Sequence, residues 1–350
     1  MIGTLTSAAI LPWTGALIDR FRLSSYTLFV GVGLIVACSF MGLISGTLSL
    51  IVAIFLLRQF GQALSSHIAT TTMARYFKVE RGKALAVAIM GSATGGALLP
   101  FIAITLLSLV GWRWTYASSA IFLGLFLAPL SLYMLKTYHN RPIQKLDRKA
   151  REVKTNPIIR SWTRREVLHD PRFYLLLPGL LAPAIITTAL FLHHLTLADA
   201  KGWSHTWITG NYVIYAVCVV LAAFVAGSLI DRFSAVRLLP LSLVPLILAL
   251  NLIAIFDQDQ IVVPYMLMLG ISAGLAHTAT AAMWPEMYGV KHLGAIKGLG
   301  VSLMVFGSAL GPVILGGLMD FGLSIESICF LFCGYSIVGG VLMYLAIRNS

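Results

Sequence analysis

Apolar residues run along this chain in blocks of about 20, the length a helix needs to cross a hydrocarbon layer. Eleven such blocks can be bounded: 2–18, 26–44, 48–74, 84–109, 113–136, 171–197, 205–230, 236–256, 260–284, 296–319 and 324–347. Short polar breaks such as Ser45-Gly46-Thr47 and Asp257-Gln258-Asp259-Gln260 separate several of them. In lipid a helix bonds every backbone amide within its own segment, so the expected fold class is an all-α membrane protein. One polar stretch is long. It divides five blocks from six and predicts an N-terminal bundle over 1–136, a basic linker over 137–170 and a C-terminal bundle over 171–350. The linker reads as a solvated segment lying against anionic headgroups, with a regulatory site as the alternative. The first block lacks a basic start and ends in an Asp-Arg pair, so it is not a signal peptide.

One pattern occurs twice. Gly15-Ala16-Leu17-Ile18-Asp19-Arg20-Phe21 returns as Gly227-Ser228-Leu229-Ile230-Asp231-Arg232-Phe233, an offset of 212. The offset continues without a gap: Tyr76 maps to Tyr288, Gly95 to Gly307 and Pro100 to Pro312. A repeat of this extent predicts two pseudo-symmetric bundles built on one helix plan. Residues 171–212 have no partner at that offset, since it would fall before Met1. The expected plan is therefore twelve helices with the first missing, which leaves about eleven.

Composition narrows the class. The chain is 58% hydrophobic and 11% charged, with mean hydropathy +0.88, which excludes a soluble domain of this length. A net charge of +12 does not imply nucleic acid, because Lys and Arg sit between the apolar blocks. Twenty-two of them fall on one side, against Arg113 and Lys201 on the other and Arg58 inside a block. The positive-inside rule makes the basic end cytoplasmic, with the C-terminus inside, the N-terminus outside and the cell (inner) membrane as the expected location. Cys38, Cys218, Cys329 and Cys333 all lie in apolar blocks and give neither a disulfide framework nor metal spacing. No nucleophile–base set, phosphate loop or metal cluster is present, so neither an enzyme nor a cofactor is expected.

The doubled loop resembles a family motif. Gly15, Leu17, Asp19, Arg20 and, one position early, Arg22 look like the G-x-L-x-D-R-x-x-R loop of the major facilitator superfamily. Leu57-Arg58-Gln59-Phe60-Gly61 is similar to its R-x-x-G motif. Residues Tyr76, Phe77, Arg81, Ala84, Ala88, Gly91, Ser92 and Gly95, with Gly111-Trp112-Arg113, resemble the monocarboxylate transporter branch and its bacterial organic-anion relatives. The resemblance implies a major facilitator fold and a secondary transporter working by alternating access between two bundles. It also implies that Asp19, Arg20, Asp231 and Arg232 latch the cytoplasmic gate; end-of-helix snorkelling is the alternative. Monocarboxylate carriers place an Asp and an Arg in the eighth helix of the full plan, but Tyr215–Ala223 here carries no charge.

Within the blocks, Arg58 lies about ten residues into its helix, roughly 15 Å deep at 1.5 Å per residue. A cation at that depth costs at least about 2.5 kcal/mol and is expected to face a cavity or a partner. At 100° per residue, Gln62, Ser65, Ala69 and Thr72 share its face, while His67 lies opposite and reads as a packing residue. Ser65 maps to His277, whose face neighbours Gly270, Gly274 and Ala281 are small and leave room beside the ring. His277 is thus expected on the opposing cavity wall as a proton carrier, with a hydrogen-bonded structural histidine equally open. Asn211 and Tyr215 are one turn apart and could bond a substrate or another helix. His193 and His194 lack the companions a metal site needs.

The expected substrate is a small organic anion such as a carboxylate, paired with Arg58, with a proton or counter-anion as the coupled partner. Export of a hydrophobic compound and a truncated, non-transporting membrane protein are the other readings.

Overall fold

The computed structural model describes residues 2–77, 80–131, 133 and 160–348. Helices are α1 (Ile2–Thr14), α2 (Leu23–Gly42), α3 (Thr47–Tyr76), α4 (Arg81–Phe122), α5 (Arg164–Leu168) and α6 (Pro171–Leu192). They continue as α7 (His194–Lys201), α8 (His205–Phe233), α9 (Ala235–Ile255), α10 (Val262–Tyr288), α11 (Leu293–Asp320) and α12 (Ile325–Arg348). Among the described residues, nine helical stretches are long and apolar enough to span a membrane.

The breaks follow local chemistry. α4 is interrupted at Gly111, with φ of 76° and ψ of 168°, where the sequence separates block 84–109 from block 113–136. That region is open essentially to glycine alone. α6 starts at Pro171 behind Asp170, whose carboxylate accepts the Arg172 amide at 3.1 Å, an N-cap followed by proline at N1.

The described residues pack as two units. One contains those of Met1–Val79, Leu98–Arg164 and Tyr288–Ser302; the other contains Glu80–Ala97, Arg165–Met287 and Leu303–Ser350. The first turns of α4 therefore group with the second unit, and the first turns of α11 with the first. In the second unit, glycine sets the helix crossings. A Cβ on Gly339 would lie 2.9 Å from the Gly179 Cα, and one on Gly311 would overlap the Ile185 carbonyl. Such contacts let backbones approach where lipid offers no hydrophobic drive between helices. The same holds at Gly270 and Gly274, where an added Cβ would lie 2.6 Å from the Tyr215 oxygen and 2.5 Å from the Val219 oxygen. This corrects an expectation: those glycines are not open space beside His277 but the seat of α8 against α10.

The two copies of the repeated motif differ in backbone. The second lies in unbroken helix to Phe233, whereas the first leaves α1 as a 3-10 turn over Gly15–Asp19. Pro12, whose ring lacks the N–H that would bond the Ala8 carbonyl, lies in the last turn of α1. Ser302 Oγ on α11 donates to that carbonyl instead. The residue aligned with Pro12 in the second copy is Phe224, which keeps its amide.

Candidate functional site

Each repeated aspartate caps a helix. In the first unit Asp19 accepts the Gly294 and Ala295 amides of α11 at 2.9 and 2.8 Å, one on each carboxylate oxygen. In the second unit Asp231 accepts the Gly82 and Lys83 amides of α4 at 2.7 and 3.2 Å. The first-turn N–H groups of a helix have no intrahelical partner and sit at its positive end, so both carboxylates bond two orphan donors and face the favourable dipole. Glycine makes the approach possible. A Cβ on Gly294 would overlap Ile18 and lie 2.6 Å from Asp19 Oδ1, and one on Gly82 would overlap the Gly227 carbonyl oxygen. Gly82 and Gly294 are themselves 212 apart.

Asp19 also pairs with Arg75 at the end of α3, whose second amino group donates to the Ile18 carbonyl at 3.2 Å. The neighbouring Arg20, expected in the latch, is exposed, as is Arg232, which lies over the Phe233 ring at 5.1 Å. Arg75 escaped notice because its repeat mate is Met287, so the duplication does not flag it. Glu286 escaped for the same reason, being aligned with Ala74. Its carboxylate accepts the Ser234 hydroxyl and, at 2.8 Å, the Ala235 amide, capping α9. His67 is buried with Nε2 3.2 Å from the Gly15 carbonyl oxygen, the packing role its position implied.

Arg58 lies in a π-helical run, Leu57–Leu64, within α3. It is exposed and donates to Gln62, also exposed. Among the described residues no carboxylate lies within ion-pair distance of it. The π turns alter the expected stripe. With i→i+5 bonding each turn takes an extra residue, so the exposed positions run Arg58, Gln62, Ser66, while Ser65 is half-buried. Ser65 instead donates back to the Phe60 carbonyl at 2.7 Å, so the face calculated at 100° per residue does not hold for it. Next to Arg58, Gln59 is buried and unforeseen; it accepts Ser7 Oγ and donates to Thr14 Oγ1, each at 2.7 Å.

In the second unit His277 is exposed on α10. Asn211 is buried and donates to the Trp207 carbonyl at 2.7 Å across the joint within α8. Tyr215 meets the Phe191 ring edge-on at 4.8 Å. His194 bridges two tyrosines, with ring nitrogens 2.9 Å from Tyr212 Oη and 2.7 Å from Tyr265 Oη. His193 Nε2 lies 3.2 Å from the Pro312 carbonyl oxygen.

Ahead of α8, the buried Lys201 ammonium holds Asp257 at 2.5 Å and Glu326 at 2.7 Å. Burial pushes this amine down, but the hydrogen bonds to the two carboxylates outweigh it and raise it above its ordinary value.

A family model described as Major Facilitator Superfamily matches residues 1–214 and 194–350. No curated protein matches the chain. Among solved structures, the crystal structure of the human organic anion transporter MFSD10 (TETRAN) is similar with a TM-score of 0.71 at 16% identity. The match covers 98% of this chain and 82% of that one. An identity so low carries the fold alone, and the fold is the same all-helical one. This chain is a multi-pass membrane protein belonging to the Major Facilitator Superfamily.

Proposed function

We propose that the protein is a secondary transporter of a small organic anion, a carboxylate being the simplest case. The observation that carries this is Arg58, an exposed guanidinium midway along an apolar helix whose bonded partner is a neutral amide. Hydrocarbon does not tolerate an unpaired cation there, so its exposed face lines a water-filled cavity. A planar guanidinium in such a cavity takes a carboxylate in two parallel hydrogen bonds. The similarity to an organic anion transporter accords with this, although it is a likeness of fold. Gln62 is the companion donor, and His277, exposed on α10, is the candidate for proton or counter-anion coupling.

The clamps act as the gate. The basic end is cytoplasmic, with the C-terminus inside, in the arrangement of an N-terminal bundle, linker and C-terminal bundle. Asp19 and Asp231 each cap the start of a helix whose later turns group with the other unit, so releasing both carboxylates frees the cytoplasmic end.

The test is uptake of labelled mono- and dicarboxylates into proteoliposomes, with and without a proton gradient. Arg58→Ala is expected to abolish anion uptake while the protein still inserts. Unchanged flux of every anion would remove Arg58 from the site and favour transport of an uncharged, hydrophobic compound.

A further inference from the structure

The polar segment ahead of α6 is fastened where it is described. The Trp162 amide donates to the Tyr288 carbonyl at 2.9 Å, and the two rings meet edge-on with centroids 5.6 Å apart. Gly289 has φ of +78°, and a Cβ there would come 2.8 Å from Ser161 Oγ. The turn after α10 is thus shaped to receive Ser161 and Trp162. Two residues on, Arg164 Nη1 donates to the Pro12 carbonyl at 3.0 Å. Residues 160–164 therefore run from the end of α10 to the end of α1, all within the first unit. The reading of 137–170 as purely a solvated linker does not extend to these residues.

What Arg164 grips is unusual backbone. α1 ends at Thr14 and continues as the 3-10 turn Gly15–Asp19, and carbonyls along this stretch also take side-chain donors from elsewhere. Tyr26 Oη donates to Thr14 at 2.9 Å, His67 Nε2 lies 3.2 Å from the Gly15 oxygen, and Arg75 donates to Ile18. A 3-10 turn has poorer hydrogen-bond geometry than an α-helix, and this one carries Asp19 at its end. The second copy, with Phe224 in place of Pro12, stays helical and keeps its own ladder. The two copies are thus unequal in backbone.

We propose that residues 160–164 are a strap that holds the Asp19 gate shut, with Arg164 as a gating residue that no motif marks. The proposal rests on the reading of Asp19 as a gate. A charged donor on a carbonyl at a helix end is stronger than a neutral one, because the end carries partial negative charge. Opening the gate parts Asp19 from the first turn of α11, and the Arg164–Pro12 bond must break with it. Removing that bond favours the open state.

The test uses the full chain in membrane vesicles with the basic end outward. Cys38, Cys218, Cys329 and Cys333 are replaced by Ala, and a single cysteine is placed at half-buried Ala69 of α3. The readout is its alkylation rate by a membrane-impermeant maleimide. Arg164→Gln is expected to speed labelling by about tenfold or more, the worth of one hydrogen bond to a charged group. Arg164→Lys keeps a cationic donor and should restore at least half of the effect. Trp162→Ala loosens the other end of the strap and must act in the same direction, which keeps the proposal testable should Arg164→Gln fail to assemble.

Asp19→Asn is the control. Faster labelling in Asp19→Asn with wild-type rates in Arg164→Gln and Trp162→Ala overturns the strap and leaves the gate standing. No change in any of the three overturns the gate reading itself. Faster labelling accompanied by a matching fall in melting temperature marks a merely structural contact and also overturns the strap.

Discussion

Replacing Asp19 by Asn changes one atom and tests the proposed gate directly. The carboxylate bonds two amides of α11, one on each oxygen, and pairs with Arg75. An Asn side chain keeps one acceptor and turns an NH2 group toward the other amide, donor against donor. The lost charge-assisted bond is worth roughly 1.5–3 kcal/mol. The Arg75 pair adds little, about 0.5–1 kcal/mol, because the arginine side chain is 27% exposed and solvent screens it. The favourable interaction with the α11 dipole contributes a few tenths more.

Together these amount to about 3 kcal/mol in favour of the closed gate, a factor of roughly one hundred in the open-to-closed ratio. A gate open about 1% of the time would become open about half of the time. Alkylation of a cysteine at Ala69 from the basic side reads this ratio, with expression and helix content checked alongside. A rate within twofold of the parent protein, at normal expression, would refute the clamp as the element that holds this end closed. Asp231→Asn should have a smaller effect, because one of its two amide bonds is already long at 3.2 Å.

Three further outcomes are expected. Gly82→Ala and Gly294→Ala should each pry a clamp open and raise the same labelling rate, at an overpacking cost of about 1–3 kcal/mol. Gly82 should be the worse, since its added carbon meets the Gly227 backbone, whereas that of Gly294 meets side chains. Arg58→Lys should retain anion uptake with KM raised about tenfold, because an ammonium keeps the charge but loses the planar fork. Lys201→Met should destabilise the second unit by about 1 kcal/mol, read as melting temperature, with the exposure of Asp257 keeping the figure small. The Lys201 amine is raised on folding, so its stabilisation is fully present below its ordinary value and is lost only as pH rises through the folded one. The difference between the variant and the parent should therefore stay flat from pH 6 to pH 9.

Particular residues show how far the sequence could be read. The break at Gly111 was visible, because a glycine between two apolar blocks is where a chain can turn without cost. The repeated pair was visible too: the constant offset matched Asp19 with Asp231, but not the helix that each would cap. Arg75 and Glu286 were not, because a repeat reveals only what was kept in both copies, and these residues strengthen one copy each. Ser65 was misplaced on the face of Arg58 because its position was computed for α-helix, and the π turns over Leu57–Leu64 depend on packing that periodicity does not contain. Gly270 and Gly274 were read as vacancy, since the sequence says that a glycine is small but not whether another backbone fills the space.

By itself the sequence determined the solvent, the helical class and the duplicated plan. Each follows from hydrophobicity and periodicity, which are properties of consecutive residues. It also determined that acids and bases meet at helix ends, since charge is excluded from hydrocarbon. Only the tertiary structure decided which base meets which acid, and that carbonyls of α1 and the turn after it are met by Tyr26, His67, Arg75, Arg164 and Ser302. Those donors come from positions up to 294 residues from the carbonyls they bond. The Ala8 carbonyl, left without an amide partner by Pro12, must find a donor somewhere, and no local rule says where.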